Sequence, residues 1–187
     1  MSPLEAERRL FGDALVCSED LPYSLMPWSG GEAERAAHAA AAERLLRSLA
    51  GLDAGGQDEL EPHPAEQALQ RLDAKLDLVL ELLSRMLARE HPETQPRPLR
   101  WSRHGACAQS RQPLAEGSHA LLVLVMPAAL SLPLRLPVQV LAREDQDADA
   151  RLWLAFPQDA PALTAALERF LFRQHRRQVA ASRRERG

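Results

Sequence analysis

The sequence predicts an α+β fold in which a helical N-terminal region precedes a small antiparallel β-barrel or sandwich and a C-terminal helix. Three observations lead to this prediction. Apolar residues between Leu69 and Met86 recur at spacings of three and four, the period of a helix that packs against other helices. After Pro98 the apolar residues fall into short strand-like runs separated by Gly, Pro, Asp or Ser. From Pro161 the helical spacing returns.

The N-terminal segment, residues 1–64, is predicted to be a helical lead-in that ends in a linker. A short helix is expected around Leu4 to Val16, before the turn-prone stretch from Ser18 to Pro22. An alanine-rich stretch from Glu32 to Leu49 favours a second helix, which the following glycines end. The acidic, proline-containing stretch from Gln57 to Pro64 is typical of a linker.

The next segment, residues 65–91, carries three heptads of a helical seam. Position a is leucine in each heptad, and further leucines widen the apolar stripe beyond what a two-stranded coil would bury. The pattern therefore predicts an oligomer. The alternative is a core helix of one globular domain, because three heptads are the shortest run that indicates a coiled coil. The seam positions are Leu69, Leu72, Leu76, Val79, Leu83 and Met86.

The third segment, residues 96–178, contains the predicted strands and the C-terminal helix. Leu163, Leu167, Phe170 and Leu171 form one apolar face of that helix, which begins near Pro161. Residues 179–187 are expected to be a basic, frayed tail. The predicted strands are Leu99–Ser102, Gly105–Ala108, Ala120–Met126, Leu134–Ala142 and Leu152–Phe156.

Composition favours a cytoplasmic protein with no membrane span. The chain has 187 residues, 45% hydrophobic content and a net charge of −3, which does not indicate nucleic-acid or membrane binding by the whole chain. The longest apolar run, Ala120 to Leu130, is interrupted by a proline and is too short to cross a bilayer. The two cysteines, Cys17 and Cys107, are far apart and fit a reducing compartment.

No catalytic or metal-binding motif is present in the sequence. It lacks the glycine-rich phosphate loops, the nucleophile elbow and the zinc-protease motif, and its six histidines are scattered without ligand spacing. We therefore expect a protein that is not an enzyme and that requires no cofactor or metal.

Four arginines surround a Ser-x-x-Gly turn. Arg97, Arg100, Arg103 and Arg111 occur in a stretch with no acidic residue, around Ser102 and Gly105. Guanidinium groups bind phosphate through two hydrogen bonds, a serine hydroxyl adds another, and glycine lets a ligand approach the backbone. The pattern predicts a cationic edge that suits a phosphate. The alternative is a solvated polar edge that protects an outer strand.

From Pro96 onward, the order of these strands, the Ser-x-x-Gly turn and the terminal helix resembles a PilZ domain. The resemblance implies a six-stranded barrel that binds cyclic di-GMP. The heptad helix, together with Leu10-Phe11-Gly12-Asp13 near the N-terminus, resembles the atypical tetrameric PilZ subfamily more specifically. That resemblance implies assembly through the long helix, so the expected homo-oligomer is a tetramer.

The resemblance also identifies candidate ligand residues. The family motif D/N-x-S-x-x-G corresponds to residues 100–105, where Arg100 replaces the acidic or amide residue that helps to recognise guanine, and Ser102 and Gly105 match. The candidate cyclic di-GMP residues are Arg100, Ser102, Arg103 and Gly105. The second family motif, R-x-x-x-R, corresponds to Arg85 and Arg89, which could instead lie on the polar face of the heptad helix.

The sequence therefore predicts a non-enzymatic signalling protein, an oligomeric candidate receptor for cyclic di-GMP that acts through protein partners of unknown identity. Two alternatives stay open. One is a ligand-independent oligomeric scaffold with a degenerate barrel. The other, less favoured, is a nucleic-acid-binding module that uses the basic tail, although the tail lacks the interleaved aromatic residues of a stacking platform.

Overall fold

Six strands and three helices form within the residues that the computed structural model describes, which are 1–52, 96–125, 133–146 and 149–184. The helices are α1 (Pro3–Phe11), α2 (Glu32–Leu52) and α3 (Pro161–Arg184). The strands are β1 (Cys17–Pro27), β2 (Pro96–Trp101), β3 (Gly105–Ser110), β4 (His119–Val125), β5 (Pro133–Gln146) and β6 (Asp149–Ala155).

The strands close into an antiparallel barrel in the order β1-β2-β3-β6-β5-β4. Closure pairs every strand on both sides, so the described barrel has no free edge strand. Its interior is filled by alternate residues of the strands, among them the fully buried Trp101 and Tyr23. The Tyr23 hydroxyl is paired as donor and as acceptor, since it donates to the Gln109 carbonyl (3.1 Å) and accepts from the Gln109 backbone N–H (2.8 Å). The predicted α+β barrel with a C-terminal helix is confirmed.

Helices α2 and α3 pack on each other and add their apolar faces to the barrel core. Leu46 of α2 and Leu167 of α3 are almost fully buried, and Phe170 lies with its ring centroid 5.8 Å from that of Trp101. The beginnings of the two helices are joined by Arg35, which donates two hydrogen bonds of 2.7 Å to the carboxylate of Asp159.

Helix α1 packs on the outside of the barrel and forms a second, separate apolar cluster. Ser2 and Glu5 form a capping box that starts this helix. An irregular register in β5 between Val140 and Ala142 turns part of that strand outward, as β-bulges do. Val140 therefore faces the main core, whereas Leu141 and Ala142 belong to the cluster with α1. The second cluster contains Ala6, Leu10, Phe11, Leu141, Ala142, Trp153 and Ala155.

The prediction for the N-terminal segment needs two corrections. The helix expected to reach Val16 ends at Phe11, and Cys17–Pro27 is a barrel strand rather than part of a helical lead-in. Pro22 suggested a turn, but it lies where β1 stops pairing with β2 and begins pairing with β4. A proline, which has no backbone N–H, is tolerated at such a change of partner.

At the other end of the chain, α3 continues through the expected boundary near residue 178. The helix extends to Arg184, so the segment predicted as a frayed tail is helical as far as the described residues go. The heptad segment, residues 65–91, lies outside the described residues.

Candidate ligand-binding surface

The Ser-x-x-Gly turn, Ser102 to Gly105, joins β2 to β3 and is held by its own side chain. The backbone N–H of Ser102 donates to the carbonyl of Gly105 (2.8 Å). The Ser102 hydroxyl is fully buried, donates to the Leu10 carbonyl (2.6 Å) and accepts from the backbone N–H of His104 (3.0 Å). In this arrangement the hydroxyl fastens the turn to the end of α1.

Glycine is required at position 105 because the backbone of β6 passes very close to it. A Cβ added there would lie 2.1 Å from the carbonyl oxygen of Leu154 and 2.8 Å from the side chain of Leu10. The glycine of the motif therefore allows β3 to pair with β6 and α1 to pack beside the turn.

Arg100 lies between an aromatic ring and a carboxylate, both supplied by α1. Its guanidinium is 4.2 Å from the centroid of the Phe11 ring and forms an ion pair with Glu7. Glu7 also accepts a hydrogen bond from the indole N–H of Trp153 (2.9 Å). Partial desolvation raises the pKa of Glu7, but the hydrogen bonds from Trp153 and Arg100 together lower the pKa below its ordinary value. Glu7 is therefore ionised at neutral pH.

The other three arginines of the predicted cationic edge also have partners, and of these only Arg103 lies at the turn, whereas Arg97 and Arg111 lie at the far end of the β2–β3 hairpin. Arg103 pairs with Glu168 of α3 (2.6 Å), and Arg111 pairs with Asp149 (3.2 Å). The guanidinium of Arg97 lies 4.4 Å from the centroid of the Tyr23 ring and donates to the Tyr23 carbonyl. Acidic residues distant in sequence neutralise much of the positive charge that the local sequence shows.

A cavity of about 500 Å³ opens on the outer wall of the barrel beside Arg100. It combines cationic, anionic and aromatic groups from four strands and from α1. Because both charge signs are present, the cavity suits a ligand with hydrogen-bond donors and acceptors better than a simple anion. Its lining includes Glu7, Asp20, Arg100, Gln109, Arg151 and Trp153.

Burial raises the pKa values of two titratable groups at this wall of the barrel. Desolvation raises the pKa of Glu19, whose carboxylate accepts a hydrogen bond from the indole N–H of Trp101 (2.9 Å). Desolvation also raises the pKa of the Cys107 thiol to about 11, so this cysteine is protonated and a poor nucleophile at neutral pH.

The described ranges contain no group of three or more His, Cys, Asp or Glu side chains that could hold a metal ion. Among the helices that the structure describes, none is both long and apolar enough to cross a membrane.

Comparison with known families gives the assignment. The family model for the atypical PilZ domain, described as a cyclic di-GMP receptor, matches residues 46–184, well over half of the chain. The chain belongs to the atypical PilZ family. The resemblance on which the sequence prediction rested is thereby confirmed.

An atypical PilZ architecture is also indicated by a solved structure. The chain is similar to a pathogenic protein from Xanthomonas campestris, described as a tetrameric PilZ domain self-assembled via a helical bundle. The two chains share 34% sequence identity and superpose with a TM-score of 0.74, over 94% of this chain and 96% of the other. No curated protein sequence matches the chain.

The PilZ motif residues of the barrel occupy one place in the fold. Arg100, Ser102, Arg103 and Gly105 lie together at the β2–β3 turn. Arg85 and Arg89, like the seam residues Leu69 to Met86, lie outside the described residues. Sequence reasoning missed Glu7 and Trp153, which the fold brings beside Arg100. The capping box at Ser2 and Glu5 indicates a helix there, but no local signal shows where that helix docks.

Proposed function

We propose that this atypical PilZ protein is a non-enzymatic cytoplasmic regulator that assembles as a tetramer, binds cyclic di-GMP at the β2–β3 turn and acts on protein partners. The observation that carries the proposal is the family match over residues 46–184, whose family is described as a cyclic di-GMP receptor. The similarity to a tetrameric PilZ structure along nearly the whole chain supports the assembly.

In this proposal the residues of the turn have two roles. Arg100 and Arg103 supply guanidinium donors for the phosphates, since planar guanidinium groups bind phosphate through paired hydrogen bonds. Ser102 and Gly105 keep the turn in the shape that presents these arginines, which agrees with the buried hydroxyl and the close approach of β6. Arg85 and Arg89 stay predictions as further ligand residues.

We propose that the heptad seam, residues 69–86, is the tetramer interface. Six large apolar side chains at the seam positions would remain exposed in a monomeric helix, and their burial offers on the order of 10 kcal/mol before ordering costs. A tetramer would present four barrels to a partner, so that weak individual contacts combine by avidity.

Calorimetric titration of the full-length protein with cyclic di-GMP tests the ligand. Saturable binding is expected for the wild type, and Arg103→Ala should weaken it by roughly tenfold or more, as the loss of a charged hydrogen-bond donor does. The matched control is Arg111→Ala, which removes an arginine that is paired with Asp149 away from the turn. Equal affinities of the two variants would contradict the proposed site.

Light scattering tests the assembly. Replacing Leu76 and Leu83 with asparagine should reduce the particle mass from that of a tetramer, because polar side chains at position a destabilise the seam. Glu81→Gln, at the outward f position of the same heptads, serves as the control and should leave the mass unchanged. A tetramer in the Leu76/Leu83 double variant would contradict this interface.

A second candidate function is a ligand-independent scaffold. It is favoured by one observation, that Arg100 and Ser102 are bonded to α1 and that Leu10 of α1 occupies the space beside Gly105. A tetramer that gives no heat with cyclic di-GMP would support the scaffold over the receptor.

A further inference from the structure

Helix α1 covers the β2–β3 turn, the surface to which the proposed function assigns the ligand. The last turn of α1 lies against three of the proposed ligand-site residues, Arg100, Ser102 and Gly105. The Leu10 carbonyl accepts from the Ser102 hydroxyl, and the Leu10 side chain lies in the space beside Gly105. The Phe11 ring covers the guanidinium of Arg100. While α1 stays in place, the Ser102 hydroxyl and the space beside Gly105 are closed to a ligand and one face of the Arg100 guanidinium is covered, whereas the rest of Arg100 lines the cavity.

Within α1, the Glu7 carboxylate carries the charge that a competing anion would carry. Glu7 holds Arg100 in an ion pair and accepts the indole N–H of Trp153. Both are donors that a phosphate oxygen could use in place of the carboxylate. Glu7 therefore occupies one of the guanidinium positions on Arg100 that an anionic ligand could use.

The fold allows α1 to leave without opening the barrel. Its apolar contacts form a cluster of their own, separate from the core shared by the six strands, α2 and α3. The strands close on each other without any contribution from α1. Against the ordering of its nine residues, α1 sets the burial of Ala6, Leu10 and Phe11 and its polar contacts with Arg100, Ser102 and Trp153, so only a few contacts hold it on the barrel.

The cavity of about 500 Å³ gives a ligand a place to begin binding. It opens beside Arg100, and Glu7 stands at its edge. A nucleotide could enter against Arg151 and Gln109 and then reach Arg100 once Glu7 withdraws.

We propose that α1 is an autoinhibitory helix, which occupies the ligand surface around Arg100 and the Ser102–Gly105 turn and which an anionic nucleotide displaces on binding. This inference rests on the proposed function, because it requires that the turn binds cyclic di-GMP. By linkage, anything that loosens α1 strengthens ligand binding, and ligand binding loosens α1 by the same factor.

The first test measures α1 directly in the full-length protein. Addition of cyclic di-GMP should increase the hydrogen exchange of amides in residues 3–11. Peptide mass spectrometry locates the change, and the amides of β4, a strand that lies away from α1, serve as the internal control. Saturation by ligand with α1 as protected as before would overturn the inference.

The second test uses Glu7→Gln, which keeps the shape of the side chain and removes its charge. This variant should bind cyclic di-GMP roughly two- to fivefold more tightly than the wild type, the range expected for one partly exposed ion pair. Glu43→Gln on α2 makes the same charge change far from the turn and should leave the affinity unchanged. An unchanged affinity in Glu7→Gln would overturn the inference.

The outcomes separate the two proposals. If the wild type binds ligand but neither α1 protection nor the Glu7→Gln affinity changes, only the autoinhibitory role of α1 fails. If neither the wild type nor Glu7→Gln binds, the proposed ligand itself fails, and the role of α1 fails with it.

Discussion

Ser102 shows how a motif residue can be structural. Its buried hydroxyl makes one hydrogen bond to α1 and one within the turn, so removing it leaves the Leu10 carbonyl and the His104 N–H without these partners. Unsatisfied buried polar groups each cost about 1–3 kcal/mol. Substitution of Ser102 is therefore expected to lower the stability of the fold, whether or not a ligand binds there.

We expect Ser102→Ala to lower the free energy of unfolding by about 1–3 kcal/mol in urea denaturation. Ser48→Ala is the control, because that hydroxyl lies exposed on α2 and only back-bonds to the Arg44 carbonyl. The control should change stability by less than about 0.5 kcal/mol. A loss in Ser102→Ala no larger than in the control would contradict the geometry of the turn.

Glu19 is expected to make stability depend on pH. Because burial raises the pKa of Glu19 in the folded state, the folded protein holds this proton more tightly than the unfolded chain does. Stability therefore falls as pH rises from the ordinary value of 4.5 through the raised pKa, and the penalty persists at neutral pH.

Glu19→Gln should remove that penalty and keep an acceptor for the Trp101 indole N–H. We expect a melting temperature above that of the wild type at pH 7 and a difference that disappears near pH 4. Thermal unfolding followed by circular dichroism at both pH values is the measurement. A variant that is less stable than the wild type at pH 7 would show that the carboxylate is stabilising there.

At the scale of elements, α1 is a unit distinct from the barrel. Its apolar cluster does not merge with the main core, so truncating a side chain of α1 cannot lower the stability by more than the docking energy of α1. The stability lost by substitutions in the barrel interior is not limited in this way.

We expect Leu136→Ala, in the barrel core, to cost about 2–5 kcal/mol, the usual range for a buried leucine. Leu10→Ala, at a similarly buried position, should cost clearly less, since α1 can detach while the barrel stays folded. Urea titrations of both variants make the comparison. Equal losses would mean that α1 and the barrel unfold as one unit.

The strands of the barrel differ in how well the sequence predicts them. Short apolar runs bounded by Gly, Pro, Asp or Ser predict β2, β3, β4, β5 and β6 well, because the barrel buries most of their apolar side chains. Strand β1 was missed because Pro22 and the acidic residues before it are typical of a turn. Only the long-range pairing of β1 with β2 and β4 makes it a strand.

For the candidate site, the sequence locates Ser102 and Gly105 through their spacing, but it does not reveal their neighbours. Glu7 meets Arg100 across 93 positions of sequence, and Glu168 meets Arg103 across 65. Such pairs arise from tertiary packing, which local charge patterns do not encode. The predicted cationic edge is therefore the part of the sequence interpretation that the structure changes most.

The whole molecule combines a closed PilZ barrel with a helix that covers its proposed ligand surface. This arrangement reconciles membership of a receptor family with the engagement of all four arginines of the β2–β3 hairpin by other groups of the chain. If ligand and α1 compete for Arg100, the described form is the closed state of a regulator.

The most direct test of this competition is calorimetric titration of the full-length wild-type protein with cyclic di-GMP. Saturable heat that approaches one binding event per barrel is expected, because each chain carries its own turn and its own α1. No heat at ligand concentrations up to about 1 mM, a range in which even weak binding of about −4 kcal/mol is detected, would contradict the central claim that the turn is a ligand site.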